Sequence, residues 1–200
     1  MSKTKKAKAL NLPNALSILR MVLVPFFVWA VLSMDMGTLW GRLVPAIIFA
    51  VTAFTDCLDG QIARRYNLIT NFGKFLDPLA DKFMVFAALV VMVYRYTYLS
   101  PFLVWATVLI MFRELAVTSL RLVAAGQAGR VIAASFLGKL KTVSQILGIL
   151  VIILEPLLWP VYGAEINPAS YVMMGMMVLT TMVSGYDYLR AYLPVLNLNK

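Results

Sequence analysis

The sequence predicts an all-α integral membrane protein, six transmembrane helices preceded by a short basic segment at the membrane surface. Three observations carry this. Of the 200 residues, 62% are hydrophobic and 14% charged, against about 45–50% and 25% in an ordinary soluble domain. Mean hydropathy is +0.83, so a water-soluble globule would lack the polar surface to cover its core. Finally, mainly apolar runs near the ~20 residues that a spanning helix needs recur six times along the chain.

Taken in order, residues 1–14 hold Lys3, Lys5, Lys6 and Lys8 ahead of Leu10-Asn11-Leu12-Pro13-Asn14. A basic segment of this kind suits the membrane surface. It is not read as a signal peptide, because the next run has full spanning length, holds Arg20 and Pro25, and lacks a small-residue cleavage site. The first span is expected over 15–33, with Asn14 as its cap. The second, over 42–64, ends in a charged string, and the third, over 76–95, begins in one. The fourth, over 101–123, encloses Arg113-Glu114 and Arg121. Lys139 and Lys141 flank the start of the fifth, over 142–160, and the sixth covers 169–190. These runs use most of the chain, so a single membrane-embedded domain over 1–200 is expected, without a linker or a soluble domain.

Eighteen basic residues face nine acids, a net charge of +9. The basic residues sit at the ends of apolar runs, which points to orientation and lipid contact rather than to nucleic acid. With six spans, one side collects Lys3–Lys8, Arg64, Arg65, Lys74, Arg130, Lys139, Lys141 and Lys200, and the other only Arg42 and Arg95. The positive-inside rule then puts both termini in the cytoplasm. The chain has no histidine and one cysteine, Cys57. This excludes a disulfide scaffold, a histidine base and histidine metal ligands.

Four of the nine acids, Asp56, Asp59, Asp77 and Asp81, lie within 26 residues. Asp56 and Asp59 share one face of the second helix, Asp77 and Asp81 one face of the third. A turn over Asn67–Gly73 would make the two helices antiparallel neighbours with facing carboxylates. A carboxylate inside a span costs at least ~2.5 kcal/mol, and four together need cations, with only Arg64, Lys74 and Lys82 nearby in sequence. Hard oxygen donors suit Mg²⁺, Mn²⁺ or Ca²⁺, one or two ions, with substrate phosphates completing the coordination. Gly60 and Ala63 remove bulk beside the acids, for helix packing or for a ligand. An ion pathway is the competing use of intramembrane acids, but it predicts acids spread through the bilayer depth or repeated in both halves.

The string Asp56-x2-Asp59-Gly60-x2-Ala63-Arg64-x8-Gly73-x3-Asp77-x3-Asp81 resembles the signature of the CDP-alcohol phosphotransferases at every fixed position and gap. The six-span plan extends the resemblance over nearly the whole chain. It implies metal-dependent transfer of a phosphatidyl group from CDP-diacylglycerol to an alcohol, with release of CMP. By position, Asp56, Asp59, Asp77 and Asp81 would bind two divalent ions, Mg²⁺ or Mn²⁺, and Asp81 would also take the proton of the attacking hydroxyl. Gly60, Ala63, Arg64 and Thr70 would meet the CDP moiety. A homodimer in the bacterial cytoplasmic membrane is implied by the same analogy.

The acceptor is read from the second half. Arg113 and Arg121 are eight residues apart on one apolar run, with Lys139 and Lys141 beyond. An arginine inside a span pairs with something: with a carboxylate such as Glu114, or with a phosphate on the acceptor. Asn11-Leu12-Pro13-Asn14 with Arg20, the Arg113–Arg121 string, and Gly138-Lys139-Leu140-Lys141-Thr142 with Gln145 resemble the phosphatidylglycerophosphate-forming branch of that family, with Ser17 in place of the expected threonine. This implies sn-glycerol 3-phosphate as acceptor; inositol phosphate with the same chemistry is the alternative. The Met173–Met177 run is read as lipid-facing or helix-packing, Gly175 and Gly185 as close packing, and Tyr186-Asp187-Tyr188 as an interfacial belt.

Overall fold

The computed structural model describes residues 12–65, 71–128, 136–158 and 168–192. These residues form six α-helices: α1 (Leu12–Ser33), α2 (Leu39–Arg65), α3 (Asn71–Arg95), α4 (Ser100–Ala128), α5 (Phe136–Leu158) and α6 (Pro168–Tyr192). A single 3₁₀ turn, Thr97–Leu99, joins α3 to α4. Two compact units divide the chain, Met1–Val91 and Met92–Lys200.

In the first unit α1 packs along α2. The turn between them is tied by side chains. The Gly37 amide donates to Asp35 Oδ1 (2.8 Å), Thr38 Oγ1 donates to the Asp35 carbonyl (2.8 Å), and the Gly41 amide donates to Thr38 Oγ1 (3.1 Å). Thr38 thereby caps α2. A Cβ on Gly41 would collide with the Asp35 carbonyl, so the reversal needs glycine there. Phe27 and Phe49 meet across the pair, ring centroids 5.4 Å apart.

In the second unit α6 packs against both α4 and α5. The α5–α6 seam combines buried Ile149, Ile152, Ile153 and Met177 with two polar rungs. Ser144 and Thr180 hydroxyls lie 2.7 Å apart, and Gln145 Nε2 donates to Thr181 Oγ1 at 3.2 Å. Hydrogen bonds of this kind suit helices that meet in an apolar medium. Gly148 lets the seam close, since a Cβ there would stand 2.5 Å from Met177 Sδ. The first turn of α6 is held by buried Glu155 of α5, which accepts from the Ala169 amide (2.7 Å), the Ser170 amide (2.6 Å) and Ser170 Oγ (2.5 Å). One carboxylate thus satisfies two of the amides that a helix start leaves open.

Large apolar side chains point outward from the helices, among them Trp29, Phe54, Trp105, Phe112 and Leu179. Among the described residues four stretches are long and apolar enough to cross a membrane: Asn14–Ser33, Leu39–Asp56, Thr97–Val123 and Phe136–Leu157. The expectation of six helices holds, while that of six spans is met in composition by four. α3 opens on Asp77, Asp81 and Lys82, and α6 is interleaved with Ser170, Thr180, Thr181, Ser184 and glycines.

The helices also overrun the apolar runs, which corrects several local expectations. α1 starts at Leu12, so Asn14 is a buried residue within the helix and not its cap. α3 starts at Asn71, so Asn71–Gly73 is helical rather than part of a turn. α5 starts at Phe136, so Lys139 and Lys141 lie inside its first turns instead of flanking it. Gly175 has open space where a Cβ would stand, with no neighbour there among the described residues. Met174 and Met177 are buried and Met176 is exposed, as packing and lipid-facing residues should be.

Candidate active site

An acidic cluster in the first unit is built on α1. Asn14, Ser17 and Arg20 recur every three residues, so they line one stripe of that helix, and all three are buried. Ser17 Oγ donates to Asp77 Oδ1 of α3 at 2.5 Å. Arg20 Nη1 contacts Asp56 Oδ1 of α2 at 2.5 Å, with the arginine side chain 0% and the aspartate 32% exposed. Ser17 and Arg20 are one turn apart, a rise of about 4.5 Å, so the leading carboxylates of α2 and α3 are drawn to consecutive turns of one helix. Asp81 is half-buried one turn beyond Asp77 on α3. Asp59, Gly60, Ala63 and Arg64 continue α2, which runs to Arg65; their side chains, and Thr70 altogether, lie outside the described residues.

Asp56, Asp77 and Asp81 offer only carboxylate oxygens, from partly buried positions. Carboxylate oxygens suit a hard divalent cation, but among the described residues no three acidic side chains are grouped so as to hold one.

A basic cluster in the second unit centres on Glu114. Arg113 Nη1 donates to Glu114 Oε1 at 3.0 Å, and Lys141 Nζ donates to the same oxygen at 2.5 Å. All three residues are buried, at 7%, 8% and 7% exposure for Arg113, Glu114 and Lys141. Arg113 Nη2 donates to Ser184 Oγ of α6 at 2.7 Å. Its shaft crosses α6 at Gly185, where a Cβ would lie 3.0 Å from Arg113 Cγ and 3.3 Å from Nε. Arg113 Nε is buried with no hydrogen-bond partner among the described residues. Tyr188 carries both arginines: the Arg113 and Arg121 guanidinium carbons lie 5.6 and 5.3 Å from its ring centroid, and Arg121 Nη2 donates to its hydroxyl at 3.2 Å. Arg121 is exposed, as is Lys139. The structure therefore gathers Arg113, Arg121 and Lys141, while Lys139, two positions from Lys141, sits on another face of α5.

A family model described as CDP-alcohol phosphatidyltransferase matches residues 10–183. The chain belongs to this family. It is similar to the CDP-diacylglycerol–glycerol-3-phosphate 3-phosphatidyltransferase of Bacillus subtilis, at 41% identity over 191 residues, covering 89% of this chain and 93% of that protein. It is also similar to the protein of the same description from Yersinia pestis, at 40% identity over 185 residues, covering 91% and 94%.

For a CDP-alcohol phosphatidyltransferase read from its signature, two features were not apparent. Arg20 is the only charge in α1, and an isolated ion in a span must find a partner; that signal was present, but not the identity of Asp56 as the partner. The sequence places Tyr188 with Tyr186 in an interfacial belt. Tyr186 is exposed, but Tyr188 is buried between the arginines. No sequence signal joins Tyr188 to residues 67 and more positions away. Of the two partners foreseen for Arg113, the contact seen is with Glu114.

Proposed function

We propose that this protein transfers the phosphatidyl group of CDP-diacylglycerol to sn-glycerol 3-phosphate, giving phosphatidylglycerophosphate and CMP. The observation that carries the acceptor is the charge balance around Glu114. Two buried cations share one carboxylate, with Arg121 beside them. Among the described residues one buried positive charge is left over, and an unbalanced buried ion costs several kcal/mol. A phosphomonoester dianion offsets it, whereas serine or choline would not. The names of the Bacillus and Yersinia relatives support the same acceptor.

In this reading Asp56, Asp59, Asp77 and Asp81 hold two divalent ions, Mg²⁺ or Mn²⁺, which when bound neutralise the pyrophosphate and stabilise the departing phosphate of CMP. Gly60, Ala63, Arg64 and Thr70 seat the CDP moiety. Arg113, Arg121, Lys139 and Lys141 hold the acceptor phosphate. Asp81 takes the proton of the acceptor hydroxyl. The hydroxyl oxygen then bonds to the phosphorus that carries diacylglycerol, and the bond from that phosphorus to the CMP oxygen breaks.

All six helices cross the bilayer in this proposal. α3 and α6 have 25 residues each, about 37 Å of helix against a hydrocarbon core of about 30 Å. The lysine and arginine asymmetry supports both termini and the site on the cytoplasmic face of the bacterial inner membrane. A homodimer belongs to the same proposal, by family analogy.

The test is CMP release by purified protein in detergent with CDP-diacylglycerol and Mg²⁺, comparing glycerol 3-phosphate, inositol 1-phosphate, serine and no acceptor, each with and without chelator. Chelator-sensitive release with glycerol 3-phosphate alone is expected. Release with inositol 1-phosphate instead would keep the chemistry and overturn the acceptor.

A further inference from the structure

We infer that Arg20 is a positioning residue that serves as the internal counter-cation of the carboxylate site, balancing Asp56 when no divalent ion is bound. The inference rests on the metal reading of the aspartates. Arg20 is wholly buried, it is the only charge on α1, and its guanidinium touches the first aspartate of the signature. Its neighbour one turn back, Ser17, engages Asp77. The stripe that fixes both carboxylates is thus part cation and part hydroxyl donor.

The physical need is clear from the charges. Clustered carboxylates in an apolar helix pair repel one another, and each is costly without a partner. A metal ion relieves this only while it is bound. A guanidinium delivered from the same chain relieves it permanently, because it does not dissociate and stays charged at any physiological pH. The same placement makes Arg20 a like-charged neighbour of any cation on Asp56. It therefore weakens metal binding while making the fold independent of metal. A stabilising partner that merely filled space would lower stability equally with and without metal when removed, whereas a counter-cation makes stability conditional on metal.

The experiment follows thermal unfolding of the full-length protein in detergent, in chelator and across an Mn²⁺ titration, with Mn²⁺ binding read independently by electron paramagnetic resonance. Arg20→Met is expected to lower the midpoint in chelator far more than in saturating Mn²⁺, and to bind Mn²⁺ about tenfold more tightly, the effect of removing one nearby like charge. Arg20→Lys, which keeps the charge, is expected to follow the wild type in both. Arg20→Met/Asp56→Asn, which removes both charges, is expected to regain midpoint in chelator. A midpoint loss in Arg20→Met that is equal in chelator and Mn²⁺, with unchanged Mn²⁺ affinity, would overturn the counter-cation role. If Arg20→Met does not fold in either condition, the charge-neutral double variant decides: failure to fold there too assigns Arg20 to packing and sinks the inference. Wild-type protein that binds no Mn²⁺, or binds it equally well as Asp81→Asn, would instead overturn the metal reading itself.

Discussion

At the scale of single residues, the site depends on charges that sit where only a partner makes them tolerable. Asp81 is the proposed base, so Asp81→Asn should reduce CMP release to below a few per cent while the thermal midpoint stays near that of the wild type. Retained turnover would remove Asp81 from that role. Glu114 is the shared partner of two buried cations. Glu114→Gln leaves both uncompensated and should cost about 3 kcal/mol or more of stability, read as a fall in the denaturation midpoint; an unchanged midpoint would mean that the cations find other balance. Tyr188 holds Arg121 by a hydrogen bond and by its ring face. Tyr188→Phe keeps the face and loses only the hydroxyl, worth about 1 kcal/mol. The expected outcome is a rise of several-fold in KM for glycerol 3-phosphate with kcat and the KM for CDP-diacylglycerol little changed.

At the scale of elements, glycines distinguish close helix contacts from open surface. Gly185 lies under the Arg113 shaft, with room for a Cβ only if that side chain gives way. Gly185→Ala should therefore displace Arg113 and weaken acceptor use. Gly175 on the same helix faces open space, so Gly175→Ala should leave activity and stability unchanged, or slightly improve stability through better helix propensity. Parallel activity measurements on the two variants separate a contact effect from a general effect of alanine in α6. The helix ends explain where sequence reasoning stopped short. Apolar periodicity marks the stretch that lies among apolar neighbours, but backbone hydrogen bonding continues past it. Asn71–Gly73 at the start of α3 and Lys139 and Lys141 at the start of α5 therefore fall outside the apolar runs, although both stretches are helical. Lys139 and Lys141 consequently stand on helical turns.

At the scale of the whole molecule, the proposed six-span topology puts Asp35 and Lys139 on opposite sides of the membrane. Single cysteines introduced at these positions in a Cys57→Ser background test it with an impermeant thiol reagent on intact cells. Label at position 35 and none at position 139 is expected, and the reverse would invert the topology. The family signature carried the site further than any physical reading of single residues could. Spacing alone placed four carboxylates on two helix faces, and repulsion among them argued for cations. It could not show that α1 supplies one of those cations, because Arg20 and Asp56 are 36 residues apart.

By itself the sequence determined the class of molecule, the family and the course of the helices. Composition is a bulk property, apolar runs are local, and a fixed-gap signature needs only the helical period to become a face. The tertiary structure decided which charges are partners. Asp56 meets Arg20, Asp77 meets Ser17, and Arg113 and Lys141 share Glu114 beneath a tyrosine from α6. These pairings depend on which faces the helices turn to one another, and that is settled by packing between segments distant in the chain, such as the glycine that lets Arg113 cross α6.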